Sequence, residues 1–233
     1  MSAATSTTGI NLPQRAPNFW QSTNGKKIVM AVTGFILFLF VIGHLLGNLL
    51  VFAGPARYNS YAAILHFDDT LLWIARIILI GSVVLHIVAT VQLALRNKAA
   101  RPVGYARKKA INSSYASRTM YWSGPIILAF VIFHLLEFTS GTIHPNSVFI
   151  PHDVYHNVLA GFQVWWVSAW YIFALILLGF HLRHGLWSML QSFGMPQSPA
   201  RERVLKRTAL AISAVIVIGY ILIPISVLTG LLK

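Results

Sequence analysis

The chain of 233 residues contains no cysteine. This absence excludes disulfide bonds, thiolate metal sites, cysteine-ligated iron–sulfur clusters and cysteine nucleophiles. Charge is also scarce, since only 10% of the residues are Asp, Glu, Lys or Arg, against roughly a quarter in a soluble domain. Acidic residues are the rarest charged type, with five in the whole sequence. A soluble globular domain is therefore a poor description of this chain.

Hydrophobic residues make up 56% of the chain and gather into five long runs. Each run has about 20 residues or more, enough for a helix to cross a hydrocarbon core of ~30 Å. We therefore predict an all-α integral membrane bundle with five transmembrane helices, at 28–52, 70–95, 119–140, 163–190 and 208–232. Polar residues 1–25 are interpreted as an N-terminal tail before a membrane domain at 26–233.

Basic residues are distributed unevenly between the predicted spans. Fourteen of the 18 Lys and Arg fall in the N-terminal segment and in the second and fourth connections, on one side of the bundle. The positive-inside rule then places the N-terminus in the cytoplasm and the C-terminus outside. This topology accounts for the net charge of +13 without a nucleic-acid partner. It also gives a cationic cytoplasmic face for anionic lipid or a soluble protein.

The longest outer connection, at 141–162, contains the sequence PHDVYHNVLAGF. Asp153 is a candidate N-cap, and the apolar spacing after it predicts a short helix lying at the membrane interface. His152 and His156 have metal-ligand spacing, but we interpret them as exposed loop histidines.

Four of the five predicted spans carry a histidine in their interior: His44, His86, His134 and His181. A polar ring in lipid is costly unless it has a partner. At 1.5 Å per residue, the first and third histidines lie ~24 Å from the cytoplasmic side, and the other two lie ~15 Å from it. The spans thus pair by depth, the first with the third and the second with the fourth, at two levels ~9 Å apart.

Two facing histidines at one depth are what a haem b with two imidazole ligands requires. Zinc normally takes more ligands than such a pair supplies. We therefore predict two haems b, one held by His44 and His134 and the other by His86 and His181. Separate hydrogen-bonded core histidines are the alternative interpretation.

Small and polar residues near the histidines fit this prediction. Gly43 and Gly47 bracket the first histidine and would leave room for a neighbouring helix or a porphyrin edge. Ser82 and Thr90 lie four residues on either side of the second histidine and are candidates to polarise its other ring nitrogen.

Two arginines and one further histidine lie inside the spans. Arg76 is about one turn farther out than the outer histidine pair and is a candidate for binding haem propionates, with simple snorkelling as the alternative. Arg183 is interpreted as a snorkelling charge. His184 follows His181 by three residues on the same helix face, so spacing alone does not decide which of the two is the ligand.

A specific pattern emerges from four stretches, one in each of the first four spans: IGHLLGN, LHIVATV, IFHLLEF and FHLRHGLWS. The connections NSYAAILHF and GMPQSPARER add to it. Over 26–232 the chain resembles the cytochrome b558 membrane-anchor subunit of bacterial succinate dehydrogenase and fumarate reductase, in its single-chain, five-helix, di-haem form.

This resemblance implies the same pairing of the spans and places the fourth ligand on His181. It implies an electron-transfer subunit of succinate:quinone oxidoreductase (respiratory complex II, part of the tricarboxylic acid cycle) in the bacterial inner membrane, with menaquinone as the expected quinone. The implied partners on the cytoplasmic face are a flavoprotein subunit, which holds FAD and the dicarboxylate active site, and an iron–sulfur subunit.

Quinone chemistry requires proton exchange at the quinone oxygens. Glu137 lies one turn beyond His134 and matches an acid in the family's pattern, so it is a candidate quinone or proton site. A carboxylate snorkelling to interfacial water is the alternative, and His66, Asp68 and Asp69 are weaker candidates.

Two other functional classes stay open at the level of sequence. One is the haem b subunit of another membrane oxidoreductase, of the hydrogenase or formate dehydrogenase type. The other is a haem-free membrane transporter whose histidines carry protons or pack the core.

Overall fold

The structure is a computed structural model that describes residues 18–100, 103, 114–145 and 149–233. These residues form helices, turns and loops without a strand. The α-helices in chain order are α1 Thr23–Asn48, α2 Pro55–Leu65, α3 Asp69–Ala99, α4 Tyr115–His134, α5 Val154–Gln163, α6 Trp165–Ser192 and α7 Pro199–Leu228. Five of these, α1, α3, α4, α6 and α7, are long and apolar enough to span a membrane. The predicted all-α multi-pass architecture is confirmed, whereas the orientation of the termini stays a prediction.

Three of the spanning helices begin four or more residues before the predicted spans. α4 starts at Tyr115, four residues early, with Ser114 as its N-cap. α1 starts at Thr23, inside the range predicted as tail, because the Ser22 hydroxyl accepts the backbone N–H of Gly25 at 2.8 Å. α7 starts at Pro199, nine residues before the predicted span, with Ser198 as its cap. A capping side chain favours helix initiation regardless of hydrophobicity, and in α7 the proline at the first helical position adds to this effect. Hydropathy locates the part of a helix that lies in lipid, and the polar first turns fall outside it. Residues 1–17 of the predicted tail are not among those described.

The first connection forms a helix, α2, where the sequence predicted only turn residues. Gly54 has φ +89°, a value that glycine adopts without strain, and Pro55 then occupies the first position of the helix. The phenol of Tyr58 donates to Asn48 Oδ1 at 2.8 Å and thereby ties α2 to the end of α1.

The predicted short helix in the third connection is confirmed as α5. Asp153 is its N-cap, with Oδ1 accepting the backbone N–H of His156 at 3.0 Å. α5 is buried against the bundle on more than one side, through residues that include Asn157, Val158 and Leu159. α5 therefore belongs to the protein core, and its location at the membrane interface stays a prediction.

The last turn of the third span is a π-helix at Leu135–Thr139, directly after His134. The backbone N–H of Ser140 bonds to the carbonyl of Leu135 at 3.0 Å, across five residues. Such π turns are rare and often occur at functional sites. Here the turn carries Glu137, which is completely buried.

α6 is the central helix, since it packs against α7, α4 and α1, whereas α3 packs chiefly on α1. The larger buried cluster joins α6 to α5, α2, α4 and α7 and includes Val51, Tyr58, Phe130, Phe162, Val167 and Tyr171. This cluster lies near the end of the bundle where α5 is found.

Basic side chains gather at the other end, which we call the basic end. There Arg96 at the end of α3 donates to the carbonyl of Gln21 before α1, at 2.6 Å. The ammonium of Lys206 near the start of α7 lies 4.8 Å from the centre of the Trp187 ring near the end of α6. The end that contains α5, called the opposite end, holds Asp153.

The cap of α5 yields a stability prediction. Hydrogen bonds from the His156 backbone and the Asn59 side chain hold the pKa of Asp153 below its usual value of 3.8. The stabilisation is therefore complete above that value and is lost as pH falls through the lower folded pKa. Asp153→Ala should lower the unfolding free energy by about 1 kcal/mol near neutral pH, and this difference should shrink in acid, as measured by thermal unfolding in detergent.

Asp153→Asn is the matched control, because an amide oxygen accepts the same two hydrogen bonds and does not titrate. We expect it to keep most of the neutral-pH stability. An Asp153→Ala variant as stable as Asp153→Asn at neutral pH would contradict the capping role.

Candidate functional site

The structure brings the four span histidines together in two facing pairs. The rings of His44 on α1 and His134 on α4 have centroids 5.7 Å apart and planes at 86°. Those of His86 on α3 and His181 on α6 are 6.2 Å apart with planes at 52°. These are the pairs that counting residues along the spans predicted.

The separation of the rings in each pair is compatible with one shared metal ion. A bond from zinc to an imidazole nitrogen is about 2.0–2.1 Å long, so two rings on opposite sides of a single ion have centroids ~6 Å apart. All four rings are half-buried by the protein alone, so none is enclosed by neighbouring side chains. Among the described residues, no group of three or more metal-ligating side chains is found, which leaves pairs as the available donor sets.

Hydrogen bonds determine the tautomer of His86. Its Nδ1 lies 3.2 Å from the carbonyl oxygen of Met30 and 3.3 Å from the hydroxyl of Thr33. That hydroxyl donates its own hydrogen to the Val29 carbonyl at 2.7 Å, so both neighbours accept from the ring. Nδ1 therefore carries the hydrogen and Nε2 keeps a free lone pair, as a metal-ligating histidine requires.

His134 is oriented in the same way by a buried chain of hydrogen bonds. The phenol of Tyr171 on α6 donates to Glu137 Oε2 at 2.6 Å and lies 3.2 Å from His134 Nδ1. With its hydrogen directed at the carboxylate, the phenol oxygen accepts from Nδ1–H. The free lone pair is again on Nε2.

The other two histidines have less polar surroundings. His44 stacks on Phe40, with ring centroids 5.2 Å apart, and lies 6.2 Å from the ring of Tyr220. The Nδ1 atom of His181 is buried and has no hydrogen-bond partner among the described residues. A buried ring nitrogen without a hydrogen-bond partner raises the free energy of the folded chain. This atom therefore indicates that the second pair needs a polar or metal ligand that the protein itself does not supply.

The structure places His181, and not His184, opposite His86. His184 is half-buried and lies one turn nearer the basic end, without a ring contact to His86 among the described residues. Geometry therefore favours His181 where spacing left two choices.

The predicted surroundings of the histidines differ from those observed. Thr90 donates to the backbone carbonyl of its own helix at His86, at 2.7 Å. The prediction that Thr90 polarises the ring is therefore wrong, and Thr33 and Met30 from α1 act there instead. Ser82 is buried, and no hydrogen bond joins it to the ring among the described contacts.

Two glycines of α1 make room for side chains from other helices. A Cβ on Gly47 would lie 2.5 Å from the ring of Tyr61, so the space beside Gly47 is filled by α2 and not by a porphyrin edge. A Cβ on Gly34 would lie 3.2 Å from Cε1 of His86, and sequence reasoning missed this contact.

Arg76, the candidate for haem propionates, lies on α3 with its guanidinium 5.1 Å from the centre of the Trp73 ring. Its role at a haem stays a prediction. His66 and Asp68 have local partners, since His66 bonds to the Ala62 carbonyl and Asp68 caps α3 through the backbone N–H of Thr70.

No known protein family, curated protein or solved structure matches this chain. The geometry must therefore carry the functional argument, and the likeness to succinate dehydrogenase anchors enters only as a proposal.

The residues present fit a bis-imidazole haem at both pairs. Two neutral imidazoles face each other in each, two of the four rings have a defined Nδ1–H tautomer, and a third has an orphaned nitrogen. This donor chemistry is that of a b-type haem site. Four separately satisfied core histidines, the alternative interpretation, do not explain the orphaned atom of His181.

The buried chain around Tyr171 gives a prediction that is independent of any cofactor. Tyr171→Phe should leave the Glu137 carboxyl and the His134 Nδ1–H without their shared partner, and each buried orphan costs about 1–3 kcal/mol. We expect a clear fall in the thermal unfolding midpoint of the purified chain. Tyr121→Phe is the control, because Tyr121 is exposed on α4.

A double variant tests the coupling directly. Tyr171→Phe with Glu137→Leu should regain part of the lost stability, because the stranded carboxyl is removed. Equal stability of the Tyr171→Phe and Tyr121→Phe proteins would disprove the hydrogen-bond chain.

Proposed function

We propose that this chain is the membrane-anchor cytochrome b subunit of a succinate:quinone oxidoreductase of the bacterial inner membrane. It would pass electrons between an iron–sulfur subunit and membrane quinone through two haems b. One observation carries the proposal: four histidines, one from each of four spanning helices, face each other as two pairs at two levels of the bundle. A transporter that uses histidines for protons or packing has no need for such matched pairs.

Haem b, when bound, supplies reversible one-electron chemistry at its iron. His44 with His134 would hold one haem through their ring nitrogens, and His86 with His181 would hold the other. The protein fixes these rings before any ligand arrives, since Thr33 and the Met30 carbonyl hold one of them and Tyr171 holds another. Hydrogen bonds to the far nitrogen also raise the basicity of the ligand.

The two pairs lie farther apart along the membrane normal than the ~9 Å that residue counting gave. Gly34 faces His86, and His44 follows ten residues later on α1. Tyr171 contacts His134, and His181 follows ten residues later on α6. Ten residues of helix rise ~15 Å. The earlier figure depended on estimated helix ends, whereas these contacts do not.

The basic end supports docking of the iron–sulfur and flavoprotein subunits. Lys27, Arg201 and Arg203 are exposed there, and no ion pair is assigned to them in the part of the chain that the structure describes. Exposed cations of one sign favour association with an acidic surface. The proposed cytoplasmic location of this end follows from the positive-inside rule.

Glu137 supports proton transfer at the level of the His44–His134 pair. The alternative, a carboxylate snorkelling to water, is wrong, because Glu137 has no exposed surface. Its Oε2 accepts from Tyr171, and its Oε1 has no partner among the described residues. A Cβ on Gly161 would lie 2.9 Å from that Oε1, so glycine leaves the carboxyl the space it occupies. A buried carboxyl joined through a phenol to His134, a proposed haem ligand, is suited to relay a proton to a quinone, with menaquinone as the expected substrate.

A reduced-minus-oxidised spectrum with a pyridine haemochrome count tests the proposal in the intact complex. We expect two b-type haems per chain. His44→Ala or His134→Ala should remove one haem and spare the other, and His86→Ala or His181→Ala should remove the second. His184→Ala is the matched control and should retain both.

Several outcomes would count against the proposal. Absence of haem from the native complex would disprove the electron-transfer function and favour the transporter class. Two haems without succinate:quinone activity in the native complex would reject the succinate dehydrogenase assignment in favour of another haem b oxidoreductase. Loss of both haems from every histidine variant would refute two separate sites.

A second experiment measures the hydrogen bond between Thr33 and His86. Thr33→Val removes one acceptor of the Nδ1–H, which lowers the basicity of the imidazole and should raise the midpoint potential of the haem held there. We take this neutral hydrogen bond to be stronger by about 0.5–1 kcal/mol when the haem is oxidised than when it is reduced. This difference corresponds to a shift of about 20–40 mV in a one-electron midpoint potential, at 59 mV per tenfold change. Redox titration should show this shift in one of two components. Thr90→Val, which loses a bond to backbone and sulfur only, should leave both potentials unchanged.

A further inference from the structure

A narrow groove runs between α6 and α7 in the half of the bundle nearer the basic end. It has a volume of about 150 Å³ and an almost wholly apolar lining, with Gly179, Phe180 and Arg183 on α6 and Leu210, Ala214 and Val217 on α7. The lining residues on each helix are spaced three and four apart, so the groove follows one stripe of each helix. It is separate from both histidine pairs and is not part of the proposed electron path.

The groove exists because the two helices approach closely beside it. A Cβ on Gly179 would lie 2.7 Å from Cγ2 of Val217, so this glycine allows the contact that forms the floor. Leu210 and Ala214 are exposed along one wall. From Ile176 to Arg183 the lining spans seven residues of α6, or ~10 Å of helix. An apolar channel of this length on the lipid-facing side of a membrane helix matches a stretch of acyl chain.

Arg183 is the charged residue of the lining. It is half-buried, and among the described residues no carboxylate lies within ion-pair distance of it. Glu202, the acidic residue of α7, is paired with Lys206 instead, with Lys206 Nζ 2.5 Å from Glu202 Oε1. An unpaired cation inside a membrane-spanning helix is costly, so Arg183 calls for an anion from outside the chain.

The depth of Arg183 indicates which anion is within reach. The ring of Trp187 lies 4.8 Å from the Lys206 ammonium at the basic end, and we take it as the level of the membrane interface because tryptophan concentrates there. Arg183 precedes Trp187 by four residues and thus lies ~6 Å deeper in the membrane. A long arginine side chain extends back by about this distance, which brings its guanidinium to the level of lipid phosphates.

We propose that the α6/α7 groove is a binding site for an anionic phospholipid, with one acyl chain in the groove and the headgroup phosphate on Arg183. The guanidinium offers a forked set of donors that suits a phosphate. A free phosphate would leave the apolar groove empty, and an apolar helix of a partner would leave Arg183 unpaired. A phospholipid satisfies both parts of the site.

Native mass spectrometry of the purified full-length chain tests this site. The delipidated protein is titrated with dioleoyl phosphatidylglycerol and, separately, with dioleoyl phosphatidylcholine. Arg183→Gln should weaken phosphatidylglycerol binding at least tenfold and remove the preference over phosphatidylcholine. Arg203→Gln, which removes an exposed charge at the same end of the bundle, is the matched control and should bind as the unmodified chain does.

A second pair of variants tests the groove without touching the charge. Ala214→Phe fills the groove from its open side and should weaken phosphatidylglycerol binding, whereas Val215→Phe, at an exposed position on a face of α7 that does not line the groove, should not. Thermal unfolding of each variant identifies any that fails to fold.

Three results would overturn the proposal. Equal phosphatidylglycerol affinity in Arg183→Gln and Arg203→Gln would show that Arg183 does not hold the headgroup. Equal affinity of the unmodified chain for both lipids would show that the site does not select a headgroup with net negative charge, which rejects an anionic phospholipid as its specific occupant. Binding unaffected by Ala214→Phe would place the lipid elsewhere.

Discussion

A histidine ring inside a hydrocarbon layer has no water to bond, and much of this bundle is arranged to meet that constraint. An imidazole has two nitrogens, so each ring needs two partners. For His86 and His134 the protein supplies a partner at Nδ1 from a different helix, through Thr33 and Tyr171. The other nitrogen, Nε2, stays available for a ligand between the paired rings.

The two levels of the bundle satisfy this constraint with different chemistry. Near the opposite end, His134 belongs to a closed chain with Tyr171 and Glu137, surrounded by aromatic rings such as Phe130 and Phe162. Near the basic end, His86 relies on backbone and hydroxyl oxygens, and His181 Nδ1 has no partner. The two pairs therefore have unequal environments. Such differences in hydrogen bonding and burial would give two otherwise identical cofactors different midpoint potentials.

The spans, the pairing of His44 with His134 and of His86 with His181, and the Asp153 cap were predictable from the sequence. Each depends on distance along one helix, which residue counting measures. The partners Thr33 and Tyr171 were not predictable, because they approach from neighbouring helices and depend on how those helices are rotated about their axes. Spacing within α3 pointed to Thr90 instead, which a regular helix directs to its own backbone.

Local geometry accounts for the other differences. The π turn after His134 shifts the helix register by an added residue, and nothing in the spacing of hydrophobic residues reveals it. Of the two glycines around His44, only Gly47 marks a close approach, and the approaching group is the ring of Tyr61 from the unpredicted helix α2, whereas a Cβ on Gly43 would meet nothing within 4 Å. A glycine pattern in a membrane helix therefore does not tell which of its positions a neighbour approaches, or which neighbour it is.

The attachment of α3 has a consequence for how the two histidine pairs tolerate disturbance. α3 packs chiefly on α1, whereas α4 and α6 are held by each other and by the buried cluster. His86 therefore faces His181 from the least buried of the five spanning helices, and its ring rests against Gly34 of α1. If α3 moved sideways into the surrounding lipid, the His86–His181 pair nearer the basic end would separate. The His44–His134 pair would keep its geometry.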